Sequence, residues 1–195
     1  MKRTRIVVAS ALASTVALCA ALPASAQDFK IDPGHSLTYF EVNHLGLSNY
    51  RGRFDETTGT ATLDLKKKQG SLEVTINMNS VSTGVAKLDE HLKKKDFFDV
   101  ENHPTATFKS TRFKFDDDED EVEEIEGNLT LRGVTRPVKL KVTNFTCKPH
   151  PMMKKMACGG NAETTIKRMD FGVNYGVPAV GEEVKIYLQV EAIAQ

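Results

Sequence analysis

Side chains alternate with period two along most of this chain, and that pattern limits its possible folds more than any other feature. Leu72, Val74, Ile76 and Met78 fall on one face, and Glu73, Thr75, Asn77 and Asn79 on the other. The alternation returns in Ile125, Gly127, Leu129 and Leu131, in Val138, Leu140 and Val142, and in Val184, Ile186, Leu188 and Val190. Successive side chains of a strand point to opposite faces, so each run reads as a strand with one face on a core or cavity. His35 to Leu45, Arg53 to Leu65, Thr105 to Phe115 and Ala162 to Met169 read as further strands. About eight strands in series, mostly joined by short turns, predict an antiparallel barrel or sandwich.

One segment breaks the alternation. Val85, Leu88 and Leu92 recur at helical spacing, with Asp89 and Glu90 four residues ahead of Lys93 and Lys94. Ser82 or Thr83 can cap the start of this short amphipathic helix. The apolar pair Phe97 and Phe98 follows it. A lone helix with trailing aromatics suits the plug of an open barrel end.

The N-terminus reads as a targeting segment. Lys2, Arg3 and Arg5 precede a mostly apolar run from Ile6 to Leu22, and Ala24-Ser25-Ala26 supplies small residues for cleavage. The expectation is a cleaved signal peptide over 1–26 and one domain over 27–195. The apolar run includes Ser10, Ser14 and Thr15 and is short for a span of about 20 residues. No later segment approaches its length, so no stable membrane insertion is expected. Leu18 is bulky for a residue preceding a lipidated cysteine at Cys19, and the basic start lacks paired arginines for folded export. The whole chain balances 26 basic against 26 acidic residues, and loss of the three basic leader residues leaves a net charge of −3. A mildly acidic domain lacks the basic face that nucleic acid demands, which excludes that partner.

Cys147 and Cys158 are the cysteines left after processing, and export favours a structural disulfide between them over a redox or metal pair. The bridge requires antiparallel pairing of the flanking strands, with Cα atoms within about 7 Å. It would hold the intervening Met-rich loop at one barrel end, apart from the cavity walls. That loop carries His150, Met152, Met153 and Met156, a soft donor set for Cu(I) and the alternative metal site. The competing reading is a stapled hairpin tip. The acidic run 116–121 lacks the glycine and spaced ligands of a calcium loop and reads as a solvated hairpin. His35, His44, His91, His103 and His150 form no metal-binding signature, and no nucleophile elbow or phosphate loop is present. Neither an enzymatic activity nor a cofactor is expected.

Several segments together resemble the YceI-like family of exported, lipocalin-like polyisoprenoid-binding proteins. They are Ile31-Asp32, His35-Ser36, Val42-Asn43-His44-Leu45-Gly46, Gly52-Arg53-Phe54, Val74-Thr75-Ile76, Ser80-Val81-Ser82-Thr83 and Asp89-Glu90-His91-Leu92. Asp96-Phe97-Phe98-Asp99, Pro104 to Phe108, Gly127 to Val138 and Phe171-Gly172 complete the match in order. The acidic run and the bridged Met-rich loop depart from the commonest pattern. The resemblance implies an all-β, lipocalin-like antiparallel eight-stranded barrel with one short helix near an end. It also implies a tunnel for a long isoprenoid or fatty-amide-like lipid, a periplasmic location and homodimers. By strand alternation the tunnel walls are expected to include Phe40, Val42, Val74, Ile76, Phe108, Leu129, Leu131, Val138, Leu140, Ile186 and Leu188. A barrel of about eight strands is either filled by its own side chains or holds one slender ligand.

Overall fold

The computed structural model describes residues 26–117 and 121–195. The expected leader, apart from Ala26, and the middle of the acidic run lie outside the described residues. Eleven strands form one antiparallel sheet. In chain order they are β1 (Gln27–Ile31), β2 (Leu37–His44), β3 (Ser48–Phe54), β4 (Thr57–Asp64), β5 (Gln69–Asn77) and β6 (Val81–Ser82). After helix α1 (Ala86–Leu92) come β7 (Thr105–Phe115), β8 (Val122–Leu131), β9 (Val134–Pro149), β10 (Met156–Lys167) and β11 (Val180–Ala194).

The eleven strands make a closed barrel of eight staves, because three staves are each broken in two. β1 continues as β2, β3 as β4, and β5 as β6, and β1 closes the ring by pairing with both β4 and β11. The breaks have local causes. The Asp32 carboxylate accepts from the Gly34 amide and from His35 Nδ1, which turns the chain between β1 and β2. His35 holds the Asp32 carboxyl below its usual range, and Asp32 raises the His35 imidazole in return. At the other two breaks, Asp55 N donates to Ser80 O and Glu56 N to Ser80 Oγ. The neighbouring staves therefore bend together.

A band of buried polar groups lies along these breaks. Ser36 Oγ donates to Glu191 O and accepts from Glu191 N, while Thr38 Oγ1 meets Thr57 Oγ1 at 3.5 Å. Each buried hydroxyl is thus partnered, as burial requires. The expected single strand over 53–65 is in fact split at Asp55-Glu56, and β1 is an additional strand. The outer face carries cross-strand ion pairs, including Lys109–Glu73, Lys114–Glu123, Lys139–Glu126 and Lys141–Glu163. This polar-out, apolar-in arrangement is opposite to that of a membrane barrel. No helix among the described residues is long and apolar enough to cross a membrane.

α1 differs from expectation at its start. Val85 is the N-cap and makes no side-chain cap bond. Asp89 instead reaches back to accept from Thr83 N and Thr83 Oγ1, at 2.7 and 2.6 Å. That use removes Asp89 from the expected pair with Lys93, which bonds Glu90 at 3.1 Å. Leu92 is buried, whereas Val85 is 47% exposed. The helix and the following loop close one end of the barrel, where Phe40, Phe54 and Phe98 stack with centroids 5.4–6.5 Å apart.

The opposite end carries the β9–β10 hairpin. β9 pairs with β8 over residues 134–141 and then with β10 alone over 142–149, so its second half is an edge strand held on one side by β10, which itself stays paired with β11. Cys147 lies directly opposite Cys158 and is disulfide-bonded to it, with Cα atoms 4.1 Å apart. This edge segment has a ladder on one side only, and the staple ties it to β10. Replacing Cys147 by Ser is expected to lower stability by about 2–3 kcal/mol without unfolding the barrel, whose backbone ladders remain in place. Thermal melts with thiol labelling test this. Two reactive thiols in the unreduced protein, or a wholly unfolded variant, would contradict it.

Candidate functional site

Inward side chains of the eight staves enclose two chambers. The chamber at the helix end measures about 120 Å³ and is lined by Phe40, Val42, Phe54, Ile76, Leu92, Phe98, Leu129, Leu131, Ile166, Val184 and Ile186, among others. The chamber at the hairpin end measures about 100 Å³ and is lined by Phe29, Leu63, Leu72, Phe113, Ile125, Leu140, Val142, Phe145, Leu188 and Val190. Both walls are almost entirely hydrocarbon.

A layer of side chains separates the chambers. Val74 packs against the cores at both ends and faces Phe108 across the β5–β7 ladder. Phe108 fills the space that a side chain at Gly127 would need, and a Cβ at Gly59 would meet the Ile31 side chain and the Glu73 carbonyl. Each glycine thus admits a large neighbour to the barrel axis. Ile31, Val74, Phe108 and Val138 line neither chamber.

Eight of the residues expected to line a tunnel do line a chamber. Phe40, Val42, Ile76, Leu129, Leu131 and Ile186 face the helix-end space, and Leu140 and Leu188 the hairpin-end space. Val74, Phe108 and Val138 stand in the partition instead. Phase alone placed them inward, but whether an inward residue lines or divides depends on its cross-strand neighbours. The bridge is not apart from the walls, as the spacing had suggested, because Cys158 is buried and lines the hairpin-end chamber.

Sequence reading missed Arg168, which stands in the helix-end wall and is only 5% exposed. Its Nε donates to Gly181 O, its Nη1 to Val173 O and Tyr175 O, and its Nη2 to Val180 O, at 2.7–3.0 Å. The guanidinium thus ties residues 173–181 to the barrel through carbonyls, with no carboxylate in contact among the described residues, and burial lowers its pKa from the ordinary value. The available signal was phase, since Arg168 continues the inward series Ala162, Thr164, Ile166.

The alternative metal set lies outside both chambers. His150 Nδ1 accepts from the amides of Met152 and Met153, which leaves only Nε2 for a ligand, and Met152 is 84% exposed. Among the described residues, no group of three or more His, Cys, Asp or Glu side chains is arranged to hold a metal ion. Lys68 Nζ donates to the backbone carbonyls of Asp116 and Asp117, tying the acidic turn to the β4–β5 turn.

Comparison with known proteins agrees with this architecture. The model of the YceI-like domain matches residues 29–192. A UPF0312 protein of Pseudomonas aeruginosa is 40% identical over 189 residues, covering 95% of this chain and 97% of its own. Protein YceI of Salmonella arizonae is 39% identical over 175 residues, covering 88% and 90%. Among solved structures, BcnA of Burkholderia cenocepacia superposes with a TM-score of 0.67 at 24% identity, covering 83% of this chain and 98% of its own. A polyisoprenoid binding domain from Saccharophagus degradans gives a TM-score of 0.62 at 15% identity, covering 86% and 98%. With its family model spanning almost the whole barrel and full-length relatives near two-fifths identity, the chain belongs to the YceI-like family.

Proposed function

We propose that this protein is an exported binder of one long apolar chain, of the polyisoprenoid or fatty-amide class, held along the barrel axis for carriage or storage. The observation that carries the reading is the pair of hydrocarbon-walled chambers stacked along one axis. A folded protein close-packs its interior, so two aligned apolar spaces divided by one layer of side chains suit a slender guest. Binding would draw on removal of that guest from water, at about 25 cal/mol per Å² before association costs. The Saccharophagus degradans domain of the same fold is a polyisoprenoid binding domain, which supports the ligand class. The disulfide supports export, because such bridges persist in oxidising compartments.

Phe108 gives the partition a role in this reading. A chain longer than one chamber passes only if the ring swings aside, so the layer measures ligand length.

Native mass spectrometry and lipid extraction of protein recovered from the bacterial periplasm are expected to find a long-chain lipid bound. Ile186→Trp, which fills the helix-end chamber, is expected to lose that lipid while keeping the fold. No co-purified lipid and no uptake of prenyl probes would sink the proposal. Phe108→Ala is expected to cost about 3–5 kcal/mol of stability yet strengthen binding of long chains over short ones. An unchanged length preference would remove the partition's role. N-terminal sequencing of the exported protein is expected to begin at Gln27, and a retained leader would contradict the processing site.

A further inference from the structure

Beside the helix-end chamber the barrel wall lacks a backbone ladder between two neighbouring staves. β10 pairs with β11 over residues 157–167, but with β9 only over 156–163. β9 pairs with β8 over 134–141. Residues 134–140 and 164–167 therefore face each other across a seam with no β9–β10 pairing. The register shifts at Asn161/Ala162 just before the ladder stops, and farther along the seam Pro137 has no N–H to offer.

The seam lies beside the helix-end chamber. Ile166 on its β10 side and Leu129 and Leu131 on the strand behind β9 all line that chamber. Val138 and Ile166 pack into the surrounding core, so apolar side chains supply the closure. Above the seam, Arg132 Nη1 donates to Phe97 O and Gly172 O and pins the end.

Arg136 stands on the β9 side. It lies directly opposite Leu129 in the β8–β9 register, and cross-strand partners share a face, so its side chain starts from the apolar inner face. It is nevertheless solvent-exposed, and its Nη1 donates only to the carbonyl of its neighbour Thr135. Among the described residues, no carboxylate forms a contact ion pair with Arg132, Arg136 or Arg168, and Glu182 acts on Arg168 only through its charge.

We propose that the β9–β10 seam is the gate through which a lipid chain enters the helix-end chamber, and that Arg136 selects amphiphiles with an anionic phosphate or carboxylate head. This rests on the lipid-binding reading and deepens it by naming the headgroup class and the route. The chain parts Val138 from Ile166 without breaking any backbone bond between their strands. The head stays at the rim, where the guanidinium offers a charge-assisted pair.

Calorimetric titration with farnesyl phosphate, farnesol and palmitate tests the headgroup. Arg136→Gln is expected to weaken farnesyl phosphate about tenfold while farnesol changes less than about twofold, and Arg136→Lys to restore part of the loss. Palmitate weakened equally assigns the preference to any anionic head, and palmitate unaffected narrows it to phosphate. Farnesol bound as well as the phosphate, or both weakened equally, overturns the headgroup assignment and leaves the lipid-binding reading intact. Failure of the wild-type protein to bind any of the three overturns that reading as well.

A second arm tests the gate. Extending the Glu163–Lys141 register sets Lys139 opposite Thr165, both exposed. Lys139→Cys with Thr165→Cys, bridged by a bifunctional thiol reagent without reductant, is expected to slow farnesol uptake more than about tenfold, since parting the strands is the limiting motion. Each singly labelled variant is expected to match the wild type. Unchanged uptake by the bridged protein overturns the gate.

Discussion

The ring closes where β1 pairs with β4 on one side and β11 on the other, and that closure sets the width to which every inward side chain must conform. At fixed width, a layer is solid or hollow according to how the sizes of its members combine. In the middle of the barrel two staves contribute glycine, and Ile31 and Phe108 reach across the space so created. Toward either end Gly52 and Gly70 likewise admit Phe40, Phe113 and Leu63, but there the tips of the mainly Leu, Ile, Val and Phe lining leave room along the axis. Partition and chambers are therefore two outcomes of one geometric constraint.

Closure also explains the broken staves. Strands around a small barrel are tilted and coiled, and three neighbours here relieve that curvature by stopping and restarting. Each interruption frees backbone groups that must find partners. Asp32, Ser36 and Ser80 supply them, and the two most deeply buried polar side chains, Ser36 and Thr57, lie at these interruptions rather than at a chemical site. The outer ion pairs contribute little individually, because both partners of most are well exposed. Their effect is to keep the outer face polar while the inner face stays apolar.

The sequence made the strands legible wherever one face is apolar and the other polar, as in β5, β8 and β11. It concealed β1, where only Phe29 and Ile31 mark the buried phase and the strand is five residues long. It also concealed the break at Asp55-Glu56, because the alternation resumes on the far side. Eight of the eleven expected wall residues line a chamber because phase is a local property that survives folding. The partition was illegible because it depends on which strands are neighbours: Gly127 is adjacent to Phe108 only once β7 and β8 pair. The helix cap was misread for a similar reason, since Asp89 reaches back over a turn to Thr83.

Two arginines are informative because they break phase. A cation in the apolar series of a strand must be buried with partners, as Arg168 is with its four carbonyl contacts, or must find a way out, as the exposed Arg136 does. The way out exists because β9 changes neighbours midway, from β8 to β10, and leaves its first half with a free edge. Free edges invite foreign strands, and Pro137 together with a charged neighbour discourages such pairing. The same residues that protect this edge also keep it unladdered. The wall can then part there at side-chain contacts alone, whereas parting β10 from β11 on its other side would break a continuous run of backbone pairing.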